Sequence, residues 1–178
     1  AAAQQAAAAR PYDPRLEVGP GACTLVAAAV RGRQAAFASV GDSRAYWVDA
    51  EGALQIGNDD SLAGALVASG RFTVEEAMAS AGAHALTKWL GIDSTDAAPT
   101  VTNVELTGPG MIILASDGLW NYAESAELMA EVTLPDARTR PLECARQLLA
   151  HALDGGGHDN VTVAVLPFPL SPEGAGSA

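Results

Sequence analysis

Apolar positions in this chain come first in short alternating runs and later at helical spacing. Residues 23–30, 34–40, 44–48 and 53–56 read as successive strands, with Arg31-Gly32-Arg33, Gly41-Asp42-Ser43 and Asp49-Ala50-Glu51-Gly52 between them. Links this short predict antiparallel meander pairing, and a meander needs a second layer to bury its inner face. From 61 to 91 the pattern turns helical. Leu62, Leu66 and Val67 share a face, Gly70 stops the run, and Thr73 followed by Glu76 forms a capping box for a fresh start. Strands return at 100–106 and 111–115 across the turn Gly108-Pro109-Gly110. The second is an unbroken apolar run and predicts a strand covered on both faces. Helices follow at 125–132 and 142–153, the latter with Leu142, Ala145, Leu149 and Ala152 at helical spacing, and 161–166 is the last strand. Strand runs interrupted by helical blocks, without regular βαβ alternation, predict an α+β layered sandwich.

The ends read differently. Residues 1–10 look like the end of an alanine-rich helix, so the chain is expected to be a fragment. Pro11, Pro14, Gly19 and Pro20 make a loop after it, and Pro167, Pro169 and Pro172 with a Gly/Ser/Ala tail mark the close. The expected organisation is a remnant at 1–20, one domain at 21–168, and a flexible tail at 169–178.

Composition narrows the function classes. A chain of 178 residues with 49% hydrophobic content suits one domain with a substantial core. Its net charge of −11 repels polyanions, so neither nucleic acid nor an anionic membrane surface is an expected partner. Two cysteines, Cys23 in a strand and Cys144 in a helix, lack the number and spacing of a disulfide framework and are expected as reduced core thiols. No apolar run reaches the length of a membrane span, and no signal peptide is recognisable, which makes the cytoplasm the default location.

Chemistry concentrates in three acidic turns: Gly41-Asp42-Ser43-Arg44, Ala115-Ser116-Asp117-Gly118-Leu119 and Gly156-Gly157-His158-Asp159-Asn160. Each abuts a strand. If the strand ending before Asp117 and the strand beginning after Asp159 are antiparallel neighbours, both carboxylates fall on one sheet edge. Convergent carboxylates without histidine or thiolate suit a hard cation such as Mg²⁺ or Mn²⁺ and point to metal-assisted phosphate chemistry. Each turn also has a plainer explanation, because aspartate side chains cap their own turns. An EF-hand spacing is absent around Asp159, and Asn160-Val161-Thr162 matches a glycosylation sequon by chance. His84, His151 and His158 are scattered and expected as surface or capping residues; Trp47, Trp89 and Trp120 are expected as core or flap anchors.

Six short motifs occur in one order: Gly21-Ala22-Cys23-Thr24, Gly41-Asp42-Ser43-Arg44, Asp59-Asp60-Ser61, Leu86-Thr87-Lys88-Trp89-Leu90-Gly91, Ala115-Ser116-Asp117-Gly118-Leu119-Trp120 and His158-Asp159-Asn160-Val161-Thr162. Together they resemble the metal-dependent protein phosphatases of the 2C (PPM) type, especially bacterial ones. The resemblance implies a four-layer αββα sandwich of two antiparallel sheets flanked by helices, incomplete at its N-terminus. It makes Asp117 and Asp159 carboxylate ligands of a catalytic centre of two Mn²⁺ or Mg²⁺ ions and matches Asp42 to an aspartate associated with a third, weaker metal. It makes 61–91 the flap that borders the cleft, and it assigns no substrate-binding residues. Two departures stand out. Relatives carry Asp-His-Ser or Asp-His-Thr where this chain has Asp59-Asp60-Ser61, and the Asp-Gly-x-Gly-Gly motif that bridges the metals should precede Ala1.

The implied activity is hydrolysis of phosphoserine and phosphothreonine monoesters on proteins by a metal-activated water, with phosphorylated proteins, including a serine/threonine kinase or its substrates, as partners, and a monomer is expected. Without the bridging aspartate, this chain alone is expected to be inactive although its parent is an enzyme. The alternatives are a catalytically dead relative acting as a binding or regulatory module, and a sporulation or stress regulator that dephosphorylates a single partner.

Overall fold

The computed structural model describes residues 1–13, 15, 20–133 and 135–169. Within the expected loop, Pro14 and Gly19 lie outside the described residues, and so does the expected tail beyond Pro169. In chain order the elements are α1 (Ala2–Ala8), β1 (Ala22–Cys23), β2 (Leu25–Arg31), β3 (Gln34–Val40), β4 (Arg44–Asp49), β5 (Gly52–Ile56), α2 (Leu62–Ala68), α3 (Val74–Met78), β6 (Leu90–Gly91), β7 (Thr100–Glu105), β8 (Gly110–Ala115), α4 (Asp117–Trp120), α5 (Ala126–Val132), α6 (Pro141–Asp154) and β9 (Val163–Phe168). The fold class is α+β, as expected. Among the described residues no helix is long and apolar enough to cross a membrane.

The chain divides into two compact units, one of Ala1–Val26, Ala38–Ser43 and Asn58–Val101, the other of Ala27–Phe37, Arg44–Gly57 and Thr102–Ala178. In the first, β1 and β6 pair antiparallel, and Gln4 of α1 clasps their edge by donating to Gly91 O at 2.8 Å and accepting from Gly91 N at 3.0 Å. Ser61 caps α2 by accepting from Gly64 N, and the expected capping box is present at α3, where Thr73 and Glu76 satisfy each other's amides. Residues 83–86 fold back on the start of α2 through Leu62 N to Ala85 O and Ala63 N to Ala83 O. The break at Gly70 and the fresh start at Thr73 are present, and after the two short helices the 61–91 segment ends in a turn and a strand. Its core is small: Ala63, Ala77 and Ala83, with Leu66, Val67 and Met78 against them.

The second unit is built on an antiparallel sheet of order β5-β4-β8-β9. β8 is central, and five of its six residues are buried, which bears out the two-sided cover read from its apolar run. Tyr46, Ile113, Leu119, Trp120, Met129, Cys144 and Leu148 form the core beside it. The Arg44 guanidinium lies 3.5 Å from the centroid of the Trp120 ring and donates to Glu124 O at 3.0 Å, a cation–π stack that lets a buried arginine keep a partner. A further sheet has the order β2-β3-β7, and Leu106 N donates to Arg33 O at 2.8 Å beside it.

Several expectations are corrected. β3 and β4 do not pair as a meander; they belong to different sheets, and Gly41–Ser43 is a crossover. Gly41 N donates to Asp60 Oδ2 and its carbonyl accepts from Asp60 N, so the turn is tied to a distant loop instead of closing a hairpin. The run at 23–30 breaks at Thr24, whose hydroxyl lies 2.8 Å from that of Ser43. Cys23 is consequently in the two-stranded sheet and exposed, not a core thiol, whereas Cys144 is buried as expected. On α6 the buried face is Cys144, Leu148 and Ala152, while Leu142 is 58% and Leu149 37% exposed, so the packed stripe is rotated from the one read in the sequence. The last strand begins at Val163 rather than 161 and runs through Pro167, which an edge strand tolerates because one side of its backbone needs no ladder partner.

Candidate metal-binding edge

β8 and β9 pair antiparallel with Ala115 opposite Val163, so the end of one strand lies beside the start of the other. Asp117 follows β8 and Asp159 precedes β9, which places both acidic turns at the same end of this ladder. The sequence argument required this juxtaposition.

Ser116 fastens the two turns. Its N–H donates to Thr162 O at 3.0 Å, continuing the ladder one step beyond the strands. Its hydroxyl donates to Asn160 O at 3.2 Å and accepts from Thr162 N at 2.9 Å, using its one proton and one lone pair. Gly118 brings the backbones closer still. A β-carbon at this position would collide with the Asn160 carbonyl oxygen and lie 2.9 Å from the carbonyl carbon, so only glycine fits. The sequence reading missed both roles. Each residue stood inside a quoted motif, but nothing local told a clasp from an ordinary turn residue.

Both carboxylates are oriented by the backbone that follows them. Asp117 Oδ1 accepts from Gly118 N at 2.9 Å, and Asp159 Oδ1 accepts from Asn160 N at 2.6 Å. Among the described residues neither carboxylate pairs with a cationic side chain. Asp117 is half-buried and Asp159 exposed. Two carboxylates held at one oxygen, with the other uncompensated, make a hard-oxygen donor pair that suits Mg²⁺ or Mn²⁺ better than a soft metal. Among the described residues no group of three or more His, Cys, Asp or Glu side chains is placed to hold a metal, so this pair falls short of a complete protein cage.

Asp42 belongs to the first unit, half-buried on the turn after β3. That turn is braced by Asp60, which accepts from Gly41 N at 3.1 Å while its main chain exchanges with Gly41 O and Thr87 N at 2.9 and 2.8 Å. Lys88 Nζ is 3.6 Å from Asp60 and 3.7 Å from Asp96. Asp60, the middle residue of the Asp59-Asp60-Ser61 motif, is thus a lysine-paired brace of the Asp42 turn, a role sequence reading did not foresee.

The family model for protein phosphatase 2C matches residues 87–161. A serine/threonine phosphatase, stp, of Listeria innocua is 33% identical over 151 residues, covering 85% of this chain and 58% of that protein. The crystal structure of the Mycobacterium tuberculosis serine/threonine phosphatase PstP/Ppp superposes with a TM-score of 0.68 at 32% identity, over 81% of this chain and 59% of that one. A structure of the PstP catalytic domain in complex with two manganese ions matches with a TM-score of 0.56 at 31% identity, over 81% of this chain and 57% of that one. Over most of its length the chain is similar to bacterial serine/threonine phosphatases, and within it residues 87–161 match the protein phosphatase 2C family. It spans a little over half the length of the Listeria relative it matches.

Proposed function

We propose that this chain is the later part of a protein serine/threonine phosphatase, in which Asp117 and Asp159 hold a divalent cation at the β8–β9 edge. The observation that carries the reading is the clasped pair of turns: Ser116 and Gly118 fix two uncompensated carboxylates on one sheet end. Mn²⁺ or Mg²⁺ bound there supplies a water of lowered pKa and positive charge for the phosphoryl oxygens. The chain's own contribution is orientation. The hydrogen bonds from Gly118 and Asn160 set the direction of each carboxylate, so little reorganisation is needed when charge arrives. Asp42 is proposed as a ligand of a third, weaker site, with Asp60 and Lys88 stiffening its turn.

A dinuclear centre shares a carboxylate between cations about 3.5–4 Å apart. With two carboxylates and no larger acidic group among the described residues, this chain by itself is proposed to hold a single cation and to be inactive alone. That shortfall also favours a second reading, a phosphatase-like module that binds phosphoproteins without turning them over. The substrates proposed are phosphoserine and phosphothreonine proteins, including a kinase or its targets, by analogy with relatives named as serine/threonine phosphatases.

Mn²⁺-dependent hydrolysis of a phosphothreonine peptide by the full gene product, beside its Asp117→Asn variant, separates these readings. Metal-dependent turnover that disappears in the variant is expected. Peptide binding without turnover selects the binding module, and equal rates remove Asp117 from the mechanism.

A further inference from the structure

Tyr122 lies just past α4, and its hydroxyl reaches the loop that carries Asp159. The hydroxyl is 2.7 Å from His158 Nδ1 and accepts from His158 N at 3.1 Å. The two rings stack at 15° with centroids 6.3 Å apart. At the other end Tyr122 is anchored twice: its N–H donates to Leu119 O at 3.0 Å, and its carbonyl accepts from His151 Nε2 of α6 at 2.9 Å. With a neutral imidazole, the phenol proton goes to Nδ1, and the ring proton of His158 sits on Nε2.

The glycines before His158 fit this contact. A β-carbon at Gly155 would strike the Tyr122 ring, and one at Gly156 would lie 2.5 Å from His158 Cε1 and 2.8 Å from Nδ1. Gly156 also has φ +137°, outside the range of side-chain-bearing residues. The run is therefore shaped to seat a phenol and an imidazole.

We propose that Tyr122 is a positioning residue for Asp159. Rooted in the segment that carries Asp117, it fixes the 155–160 loop through His158, so the two carboxylates keep their spacing before a cation binds. This rests on the metal-site reading above. His158 is exposed, so water replaces the lost bonds when the hydroxyl is removed, and the expected penalty falls on loop order more than on stability.

The test is Mn²⁺ titration of the full gene product, wild type beside Tyr122→Phe, His158→Ala and Asp159→Asn, followed by electron paramagnetic resonance of the free ion, with thermal melts in parallel. Tyr122→Phe is expected to weaken the Asp159-dependent site about tenfold, at the low end for outer-shell support of a metal, while Tm stays within about 4 °C. His158→Ala keeps the main-chain bond to the phenol and should show a smaller loss in the same direction; if Tyr122→Phe fails to fold, this variant decides. Affinity unchanged in the folded variants, with Asp159→Asn defective, overturns the positioning role and leaves the metal site standing. A wild type that binds no Mn²⁺, or an Asp159→Asn variant that binds as tightly, overturns the metal site and the proposal with it.

Discussion

The two units treat their acidic turns in opposite ways. In the first, the Asp60 carboxylate is 13% exposed, with its charge answered by Lys88 at 3.6 Å and its second oxygen by the Gly41 amide. In the second, Asp117 and Asp159 have one oxygen each on a backbone amide and no cationic side chain among the described residues. A carboxylate already matched by lysine serves as a strut, whereas one left uncompensated on a fixed backbone retains its attraction for a cation. The supporting cores differ as well. Three alanines centre the first unit's cluster, while Tyr46, Trp120, Met129 and Leu148 fill the second, and burial stabilises by about 25 cal/mol per Å² of apolar area removed from water. The larger apolar cluster lies beside the strand that leads into Asp117 and pairs with the strand after Asp159.

The contrast breaks most sharply at Asp117. Replacement by asparagine keeps the shape and removes the charge, and phosphothreonine peptide turnover by the full gene product should fall more than about 100-fold, beyond the range seen for outer-shell residues. Gly118→Ala comes next. Its methyl group must push the Asn160 backbone away, costing about 1–3 kcal/mol in urea denaturation, as overpacking does elsewhere; an unchanged midpoint would show that the turns are not in tight contact. Lys88→Met should cost about 1 kcal/mol by stranding Asp60, between the values for exposed and buried pairs, and should leave the Asp159-dependent Mn²⁺ site unaltered. Loss of that site in Lys88→Met would erase the distinction between strut and ligand.

The smallest effect is at α3. The Thr73 amide, and then its hydroxyl, hold the Glu76 carboxyl below the usual glutamate range. A carboxylate whose folded pKa is depressed contributes stability above its unfolded value and loses it as pH falls through the folded one. Acidification below the ordinary glutamate pKa should therefore fray this cap, read as a shift of the Thr73 amide resonance, while the β8–β9 amides hold.

Much of this was legible in the chain. The capping box at Thr73 and Glu76, the Ser125 start of α5, the two-sided burial of β8 and the placement of Asp117 and Asp159 at strand ends all follow from neighbours within a few positions. Partner choice was not legible. The Gly41–Ser43 link looks like a hairpin turn, yet it joins strands of different sheets, because Asp60, far along the chain, takes up its amide and carbonyl. On α6 the sequence pattern picked Leu142 and Leu149, which remain exposed, and Ala152, which is buried, but not Cys144 and Leu148, which complete the packed face.

Sequence by itself determined the periods, caps and turn residues, and with them the family resemblance, because these depend on interactions between residues close along the chain. Tertiary structure alone decided which strands pair, which helix face is covered, that Cys23 is exposed, and that Ser116, Gly118 and Tyr122 bind two distant acidic turns into one edge. Those outcomes depend on which surfaces meet when the core closes, and contact between residues dozens of positions apart leaves no periodic mark on the chain.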